Sequence, residues 1–224
     1  MSGTVLITGA NRGIGLALAH LYHARNWQVI GVCRSHGDEV AELTDVASRV
    51  IDGIDVVEAA DVERLRQELA DTRLDVLINN AGLLREDTLG ELNIDDLRAQ
   101  MEVNAFAPLL VTEALLRNLS SGSKVINITS RMGSIADNGS GGFYGYRASK
   151  AALNALGRSL AMDLKPRGIA VAQLHPGMVK TRMIDFTGQL TPEQAAAGLL
   201  ERIDELTLDN TGGFWHSNGE ELPW

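Results

Sequence analysis

The chain has 224 residues, 45% of them hydrophobic and 22% charged, proportions typical of a folded globular protein rather than a disordered one. Its formal net charge of −9 argues against nucleic acid as a partner, because contacts to a phosphate backbone need a basic surface. The sequence lacks the run of about 18 apolar residues that a membrane helix needs, and its N-terminus lacks a signal-peptide pattern, so we expect a cytoplasmic protein without membrane contact.

Apolar segments of strand length alternate with helical patterns along the chain. The predicted strands are Val5–Thr8, Val29–Cys33, Val56–Ala59, Val76–Asn79, Val125–Thr129, Ile169–Leu174 and Gly213–His216. The predicted helices begin near Gly13, cover Val62–Leu69 with Asp61 as N-cap, cover Ile94–Leu119 and Ala148–Leu164, and begin again at a capping box on Thr191. Strands that alternate with helices predict βαβ units, and wholly apolar strands predict burial on both faces. We therefore expect one α/β domain over residues 1–224, with a doubly wound parallel sheet of about seven strands and helices on both faces.

A glycine-rich turn follows the first predicted strand, with the sequence Thr8-Gly9-Ala10-Asn11-Arg12-Gly13-Ile14-Gly15. Glycine allows a tight turn and a close approach of the backbone to a ligand, and the helix that follows offers free N–H groups to an anion. This position, after a strand and before a helix, predicts a dinucleotide pyrophosphate site. A plain glycine-rich turn is the alternative interpretation.

The end of the second strand indicates which dinucleotide binds. NAD-binding chains of this kind carry an acidic residue there for the ribose 2′-hydroxyl, whereas this chain has Cys33 followed by Arg34. A guanidinium is suited to bind a 2′-phosphate, and Arg12 offers a second positive charge. We therefore expect NADP(H) to be preferred over NAD(H). The alternative is that both arginines are solvated loop residues.

Tyr146 and Lys150 stand four residues apart, a spacing that places both side chains on one face of a helix. Reduction of a carbonyl by hydride needs a proton for the developing alkoxide, and a phenol with its usual pKa of about 10 gives it up poorly near neutrality. A neighbouring ammonium should lower the pKa of Tyr146 and make it a workable general acid. Tyr144 lacks a lysine at the same spacing.

These motifs, taken in order, resemble those of the short-chain dehydrogenase/reductase family. They are Thr8–Gly15, Asn79-Asn80-Ala81-Gly82, Ser130, Tyr146-x-x-x-Lys150 and Pro176-Gly177. The resemblance covers about residues 4 to 181 and implies a Rossmann fold and oxidoreductase activity. The last residues, from Gly213 to Trp224, resemble those of the C-factor and sniffer-type carbonyl reductases.

The resemblance implies four catalytic residues: Asn104, Ser130, Tyr146 and Lys150. The interval between Ser130 and Tyr146 is longer than the family's usual one, so Ser134 is a rival for the serine. In the family the asparagine holds a water that relays protons to the lysine. Pro108 supports this role, because a proline has no N–H to occupy the main-chain carbonyl of Asn104. A mere bend in the helix is the alternative.

The resemblance also implies the cofactor contacts. These are Gly9, Asn11, Arg12, Gly13, Ile14, Gly15, Arg34, Asp61, Val62, Asn80, Ala81, Gly82, Tyr146, Lys150, Pro176, Gly177, Val179 and Thr181. A short substrate lid is expected at about residues 182–191. No metal is expected, because the family needs none and the single cysteine excludes a cysteine-based zinc cluster. The family often pairs subunits through two helices, so we expect a homodimer or homotetramer.

The resulting hypothesis is an NADPH-dependent oxidoreductase that interconverts a small aldehyde or ketone and its alcohol. A second hypothesis is a dinucleotide-binding signalling or redox-sensing protein of the C-factor type, in which turnover is incidental. A nucleotide-sugar epimerase is disfavoured, because that group needs a larger C-terminal substrate domain than the residues after Thr181 supply.

Overall fold

A seven-stranded sheet forms the centre of the computed structural model, which describes residues 2–224. The strands are β1 (Thr4–Thr8), β2 (Gln28–Val32), β3 (Arg49–Ile51), β4 (Leu74–Asn79), β5 (Leu119–Ile128), β6 (Ala170–His175) and β7 (Phe214–His216). They lie in the order β3-β2-β1-β4-β5-β6-β7, and every neighbouring pair is parallel. This doubly wound order confirms the predicted fold class, and its reversal places a crevice at the carboxyl ends of β1 and β4.

Helices cover both faces of the sheet. They are α1 (Gly13–Ala24), α2 (Ala41–Val46), α3 (Ala59–Glu68), α4 (Ile94–Met101), α5 (Ala107–Ala114), α6 (Tyr144–Leu164) and α7 (Pro192–Glu205). Helices α1, α2 and α7 share an apolar core with one face, and α3, α5 and α6 share a second core with the other. Successive strand residues alternate between the two cores, as Leu6 and Ile7 do, because side chains of a strand point to opposite faces.

The third strand lies earlier in the chain than the sequence predicts. The predicted strand Val56–Ala59 is a turn that leads into α3, and β3 is Arg49–Ile51. Val56 is buried, which explains the apolar pattern, whereas β3 is a three-residue edge strand with one buried side chain. Asp61 does not cap α3 as predicted; Glu58 occupies the N-cap position and Asp61 lies in the first turn.

The predicted long helix Ile94–Leu119 is three elements instead of one. A π-helical turn, Glu102–Phe106, separates α4 from α5, and α5 ends at Ala114. Pro108 has no N–H for a regular helical bond, and the wider turn, closed by the Ala107 N–H on the Glu102 carbonyl, accommodates that loss. Strand β5 then starts at Leu119, and α6 starts at Tyr144, before the predicted Ala148.

A row of buried polar side chains crosses the sheet beneath α5 and α6. Asn79, Asn127 and Gln173 are paired neighbours on β4, β5 and β6, and none is more than 3% exposed. The Asn79 Nδ2 donates to Asn127 Oδ1 at 3.0 Å, and the Asn127 Nδ2 donates to Gln173 Oε1 at 3.1 Å. Thr112 Oγ1 on α5 accepts from Asn79 Nδ2 at 3.1 Å. These bonds join side chains of paired residues on three neighbouring strands and so favour the observed register, although the Asn79 Oδ1 has no hydrogen-bond partner within residues 2–224.

We expect Gly157→Ala to destabilise the protein by about 1–3 kcal/mol, because overpacking a tight core costs about that much. A Cβ on Gly157 would lie 2.1 Å from Gln173 Oε1 and 2.9 Å from Asn127 Nδ2, so it would push the amide row apart. The measurement is the free energy of unfolding in urea. Gly139→Ala is the matched control, because a Cβ there would meet no atom within 4 Å. Equal stability of the two variants would contradict the prediction.

Candidate active site

The glycine-rich turn joins β1 to α1 with two of its glycines in the left-handed region. Gly9 and Gly13 have φ angles of 64° and 55°, which glycine adopts without strain. A Cβ on Gly15 would lie 2.3 Å from the Gly9 carbonyl oxygen, so only glycine permits this close packing. Ile14 packs against the core, while Asn11 is half-buried and Arg12 exposed. The turn thus leaves the first N–H groups of α1 facing the crevice.

Side chains of Thr8 and Asn80 tie the ends of β1 and β4 together beside this turn. The Thr8 hydroxyl oxygen accepts from the Asn80 N–H at 3.0 Å and the Ala81 N–H at 3.1 Å. The Asn80 Nδ2 donates to the Thr8 and Gly9 carbonyls at 3.0 and 3.1 Å. Thr8 is absent from the predicted site residues, although its place at the head of the glycine motif is a usable signal. These bonds hold the predicted residues Ala81 and Gly82 next to the turn.

The adenosine end of the crevice carries the predicted arginine. The Arg34 side chain is 76% exposed, and its Nη1 lies 3.3 Å from Asp55 Oδ2. An exposed ion pair of this kind contributes only about 0–1 kcal/mol to stability, so Asp55 holds the guanidinium weakly. Asp61 Oδ2 accepts from the Asp55 N–H at 2.9 Å and fixes the loop before α3, while Val62 is buried beneath it.

Helix α6 brings the predicted tyrosine and lysine together in a buried position. Tyr146 is 8% exposed and Lys150 is 4% exposed. The Lys150 Nζ donates to the Ile128 carbonyl at 2.9 Å, which ties α6 to the end of β5. The same Nζ lies 5.9 Å from the centroid of the Tyr146 ring.

Burial controls the protonation of both groups. Burial raises the pKa of Tyr146 to about 12, and a hydrogen bond with the Ser130 hydroxyl acts in the opposite direction. Burial lowers the pKa of Lys150 to about 7. The expectation that Lys150 lowers the pKa of Tyr146 is therefore wrong in direction for the structure described. The physical reason is that removing either group from water disfavours its charged form, so the amine carries less charge to stabilise a phenolate.

Both candidate serines are buried, and they occupy different settings. The Ser130 Oγ accepts from the Met132 N–H at 3.1 Å, which caps a short 3₁₀ turn. A hydrogen bond from the same side chain lowers the pKa of the Tyr146 phenol. The Ser134 Oγ accepts from the Asp137 N–H at 3.1 Å and stabilises the next turn. The structure therefore brings Ser130 to the tyrosine and gives Ser134 a hydrogen bond within its own loop.

Asn104 lies in the π-helical turn, and its side chain is fully committed to protein partners. Its Oδ1 accepts from the Leu83 N–H at 2.8 Å, and its Nδ2 donates to the Leu83 carbonyl at 2.7 Å. The same Nδ2 donates to Ser149 Oγ at 3.0 Å. The Ser149 hydroxyl in turn donates to the Tyr146 carbonyl at 2.8 Å. Both Nδ2 protons are used, so the side chain of Asn104 links α6 to the loop after β4.

Asp87 anchors the first turn of α6 from that same loop, and sequence reasoning missed it. Phe143, at the N-cap position, has a left-handed φ of 51° and no side-chain cap. The Asp87 carboxylate accepts instead, from the Tyr144 N–H and, at 2.9 Å, from the Gly145 N–H. A carboxylate at a helix N-terminus is favourable. The sequence gives one indirect sign of this cap: position 143 holds no Ser, Thr, Asp or Asn, so the helix start needs a partner from elsewhere in the chain.

The predicted nicotinamide segment folds over the crevice. Pro176 and Val179 are buried, and Gly177 has a φ of 89°. A Cβ on Gly13 would lie 3.3 Å from Thr181 Cγ2, so Thr181 rests on the glycine-rich turn. The predicted residues that follow β1, β2, β4, β5 and β6 therefore lie at the same edge of the parallel sheet, and Asp61 and Val62 lie in α3.

The sequence of the whole chain was compared with known protein families. A family model described as short chain dehydrogenase matches residues 3–190. The chain belongs to the short-chain dehydrogenase/reductase family. Within residues 2–224 of this dehydrogenase, no helix is both long and apolar enough to cross a membrane. In the same described range, no group of three His, Cys, Asp or Glu side chains is arranged to hold a metal ion.

Two curated relatives of this dehydrogenase extend the comparison. It is 42% identical over 227 residues to 1-hydroxy-2-glutathionyl-2-methyl-3-butene dehydrogenase of Rhodococcus sp. strain AD45, and the alignment covers 99% of each chain. It is 43% identical over 154 residues to the C-signal protein of Myxococcus xanthus, covering 67% of this chain and 93% of that one.

Solved structures of carbonyl reductases share this fold. The Sniffer carbonyl reductase of D. melanogaster superposes with a TM-score of 0.91 at 30% identity and full coverage of both chains. An NADPH-bound carbonyl reductase from chicken fatty liver gives a TM-score of 0.89 at 32% identity, covering 100% of this chain and 99% of that one. The predicted resemblance to C-factor and sniffer-type proteins is confirmed.

We expect Ser149→Ala to lower activity of this dehydrogenase while it stays folded, because one Nδ2 proton of buried Asn104 loses its acceptor. An unsatisfied buried donor costs about 1–3 kcal/mol. The measurements are the free energy of unfolding and kcat/KM for its oxidoreductase activity. Ser159→Ala is the matched control, since Ser159 makes a similar bond to its own helix at an exposed position. Wild-type stability and activity of Ser149→Ala, or an equal loss in Ser159→Ala, would contradict the prediction.

Proposed function

We propose that this dehydrogenase uses NADPH to reduce the carbonyl group of an aldehyde or ketone to an alcohol, with Tyr146 as the proton donor. The observation that carries the proposal is the placement of Tyr146 and Lys150, both buried, in the first two turns of α6, with the Ser130 hydroxyl acting on the phenol. A buried acid–base pair with displaced pKa values in a crevice is typical of a catalytic site.

The residues present fit a dinucleotide phosphate. The Gly15 position cannot hold a Cβ, and the free N–H groups at the start of α1 face the crevice, so the backbone can approach a pyrophosphate. Gly9, Asn11, Gly13, Ile14 and Gly15 would hold the pyrophosphate. Arg34 would hold the 2′-phosphate, with Arg12 as a second positive charge, and Asp61, Val62, Asn80, Ala81 and Gly82 would line the adenosine end. Pro176, Gly177, Val179 and Thr181 would hold the nicotinamide carboxamide. The chicken relative with bound NADPH supports this assignment.

The proposed mechanism assigns each remaining group a step. NADPH, when bound, supplies the hydride. The Ser130 hydroxyl donates to the substrate carbonyl oxygen and orients it toward the phenol. Tyr146 then gives its proton to the oxygen as negative charge develops there. Burial keeps the phenol protonated at neutral pH but makes it a weaker acid, so the hydrogen bond with Ser130, which lowers its pKa, favours the transfer. Lys150 is proposed to bind the nicotinamide ribose and to return a proton to Tyr146; a water held by the main-chain carbonyl of Asn104 would resupply that proton to Lys150.

Residues 1–224 are proposed to act as one domain in the cytoplasm, assembled as a homodimer or homotetramer. Phe106 and Leu110, on the π-helical turn and α5, are exposed, as are Ala148 and Ala155 on α6. These apolar and small side chains would allow two copies of α5 and α6 to pack closely. Residues 182–191 are proposed to form a short lid over the substrate.

Tyr146→Phe tests the proton donor. We expect kcat for carbonyl reduction to fall at least about 100-fold, the usual contribution of a general acid, while NADPH affinity changes less than about twofold. The readouts are NADPH consumption and enhancement of its fluorescence on binding. Tyr144→Phe, an exposed tyrosine two residues away, should keep full activity. Undiminished turnover by Tyr146→Phe would overturn the assignment.

Arg34→Asp tests the cofactor preference. Removing the guanidinium and adding a carboxylate should weaken NADPH binding by about 100-fold or more, since a charged hydrogen bond is worth about 1.5–3 kcal/mol and repulsion adds to it. NADH binding should change little. Fluorescence titration with both nucleotides measures the ratio of dissociation constants. A wild-type protein that binds NADH as tightly as NADPH would rule out this role of Arg34.

A second candidate function is signalling with incidental turnover, which the match to the C-signal protein favours. Rescue of a deletion phenotype by Tyr146→Phe would support it. A thiol-based redox sensor is disfavoured, because Cys33 is buried and burial raises the pKa of its thiol to about 11. The Rhodococcus relative suggests a further option, oxidation of an alcohol on a glutathione conjugate.

A further inference from the structure

Residues 130–137, which follow β5 and begin with the proposed catalytic serine, form a loop that we call the serine loop. Helix α6 contacts one side of this loop. A Cβ on Gly133 would lie 2.7 Å from the Lys150 carbonyl carbon, so only glycine permits so close an approach. The Arg147 Nη1, on the same helix, donates to the Met132 carbonyl at 3.5 Å. A segment that follows β7 contacts the other side of the loop.

That segment reverses direction after β7 and runs back beside the strand. The His216 N–H donates to the Glu220 carbonyl, and the Leu222 N–H donates to the Phe214 carbonyl, both at 2.8 Å. Leu222 is 3% exposed, so burial of its side chain adds to the effect of these bonds. Residues 220–224, which we call the return segment, are therefore fixed to β7 at the edge of the sheet.

One guanidinium joins the return segment to both ends of the serine loop. Arg131, the residue directly after the serine, forms an ion pair with the Glu220 carboxylate through Nη2. The Arg131 Nε lies 2.9 Å from Asp137 Oδ2 at the other end of the loop. The Ala136 N–H donates to the Trp224 carbonyl at 3.0 Å, which adds a main-chain bond between the same two segments. The serine loop is therefore held between α6 and the return segment.

The turn between β7 and the return segment also contacts the segment that is proposed to hold the nicotinamide. The Ser217 hydroxyl donates to the Pro176 carbonyl at 3.1 Å, and the Ser217 N–H donates to the His175 carbonyl at 2.8 Å. A Cβ on Gly177 would lie 3.4 Å from His216 Cε1. One hairpin thus contacts both the loop proposed to orient the substrate carbonyl and the segment proposed to orient the hydride donor. Their relative position decides whether the reacting atoms can meet.

We propose that Arg131 and Glu220 are positioning residues, whose ion pair joins the serine loop to the return segment and sets where the Ser130 hydroxyl lies relative to the nicotinamide. This inference rests on the proposed function and adds two residues to it. Neither side chain touches the reacting atoms; both act through Ser130. The two side chains are 41% and 47% exposed, and an exposed ion pair contributes little to stability. Loss of the pair should therefore displace Ser130 while the protein stays folded.

The first test compares two substitutions of Arg131. Arg131→Met removes both ion pairs and keeps an unbranched side chain, whereas Arg131→Lys keeps the positive charge. We expect Arg131→Met to lower kcat for carbonyl reduction about tenfold, because misplacing a reacting group by about 1 Å can cost about 100-fold and the loop keeps its contacts to α6. The Kd for NADPH and the Tm should stay near wild type, and Arg131→Lys should recover most of the lost kcat.

Glu220→Gln should lower kcat in the same direction. Glu221→Gln is the matched control, because it removes the same charge from the neighbouring exposed residue, and it should leave kcat unchanged. In a Ser130→Ala background, Glu220→Gln should lower kcat no further, since residues that act through one another are not additive. Equal proportional losses in the two backgrounds, or a wild-type kcat for Arg131→Met, would overturn the proposal. A loss of kcat that matches a loss of folded protein would overturn it as well.

Hydrogen–deuterium exchange of the serine loop, measured without substrate, keeps the proposal independent of turnover. The Met132 and Ala136 amides are bonded to the Ser130 Oγ and the Trp224 carbonyl, so both should exchange faster in Arg131→Met than in the wild type. Faster exchange in a protein that turns over neither a carbonyl compound nor an alcohol would support the link between the two segments and overturn the proposed reaction. Unchanged exchange would overturn the role of Arg131 whatever the activity.

Discussion

The geometry of the site depends on how the first two turns of α6 are held. Tyr146 and Lys150 both lie there, so any movement of the helix start displaces the acid and the amine together. Asp87 caps the helix from the loop after β4, and Asn104 joins Ser149 to Leu83 in that same loop. These bonds link three elements distant in sequence, which is how a rigid scaffold maintains catalytic groups within a fraction of an ångström.

Burial of these two groups also sets the electrostatics of the site. Desolvation disfavours the charged form of both groups: it raises the pKa of the Tyr146 phenol and lowers the pKa of the Lys150 amine to about 7, so the amine is only partly charged at neutral pH. From the sequence we expected a charged ammonium beside the phenol. The spacing of two residues along a helix does not show how deeply either side chain is buried. Groups of this kind respond strongly to any charge that enters the crevice, since low polarity strengthens every interaction within it.

The sequence predicted most of the sheet because its central strands are apolar on both faces. Strands β1, β2, β4, β6 and β7 lie within two residues of their predicted positions, and the capping box of α7 is present as expected. The edge strand β3 escaped detection, since three residues with one buried side chain leave almost no pattern. The break between α4 and α5 needed knowledge of how the backbone accommodates Pro108.

The site divides in the same way. The glycine-rich turn and the Tyr146–Lys150 pair are local motifs, and their grouping in one crevice followed from the rule that ligands bind at the carboxyl ends of parallel strands. Asp87 and Ser149 form hydrogen bonds with residues far away in the sequence, Gly145 and Asn104, so their roles become visible only in the folded chain. Between Ser130 and Ser134, the sequence left a choice that depends on where each hydroxyl points.

The amide row across β4, β5 and β6 has a consequence for how this protein can change over evolutionary time. Asn79, Asn127 and Gln173 each satisfy a neighbour that has no access to water, so replacing one alone leaves an amide stranded in the interior. We therefore expect these three residues to be replaced together. A lineage that loses one of the amides would have to replace the other two with apolar side chains. The loops that follow β4, β5 and β6 contain no such row of mutually dependent amides. Their residues can therefore change one at a time, and substrate specificity can diverge while the amide row stays the same.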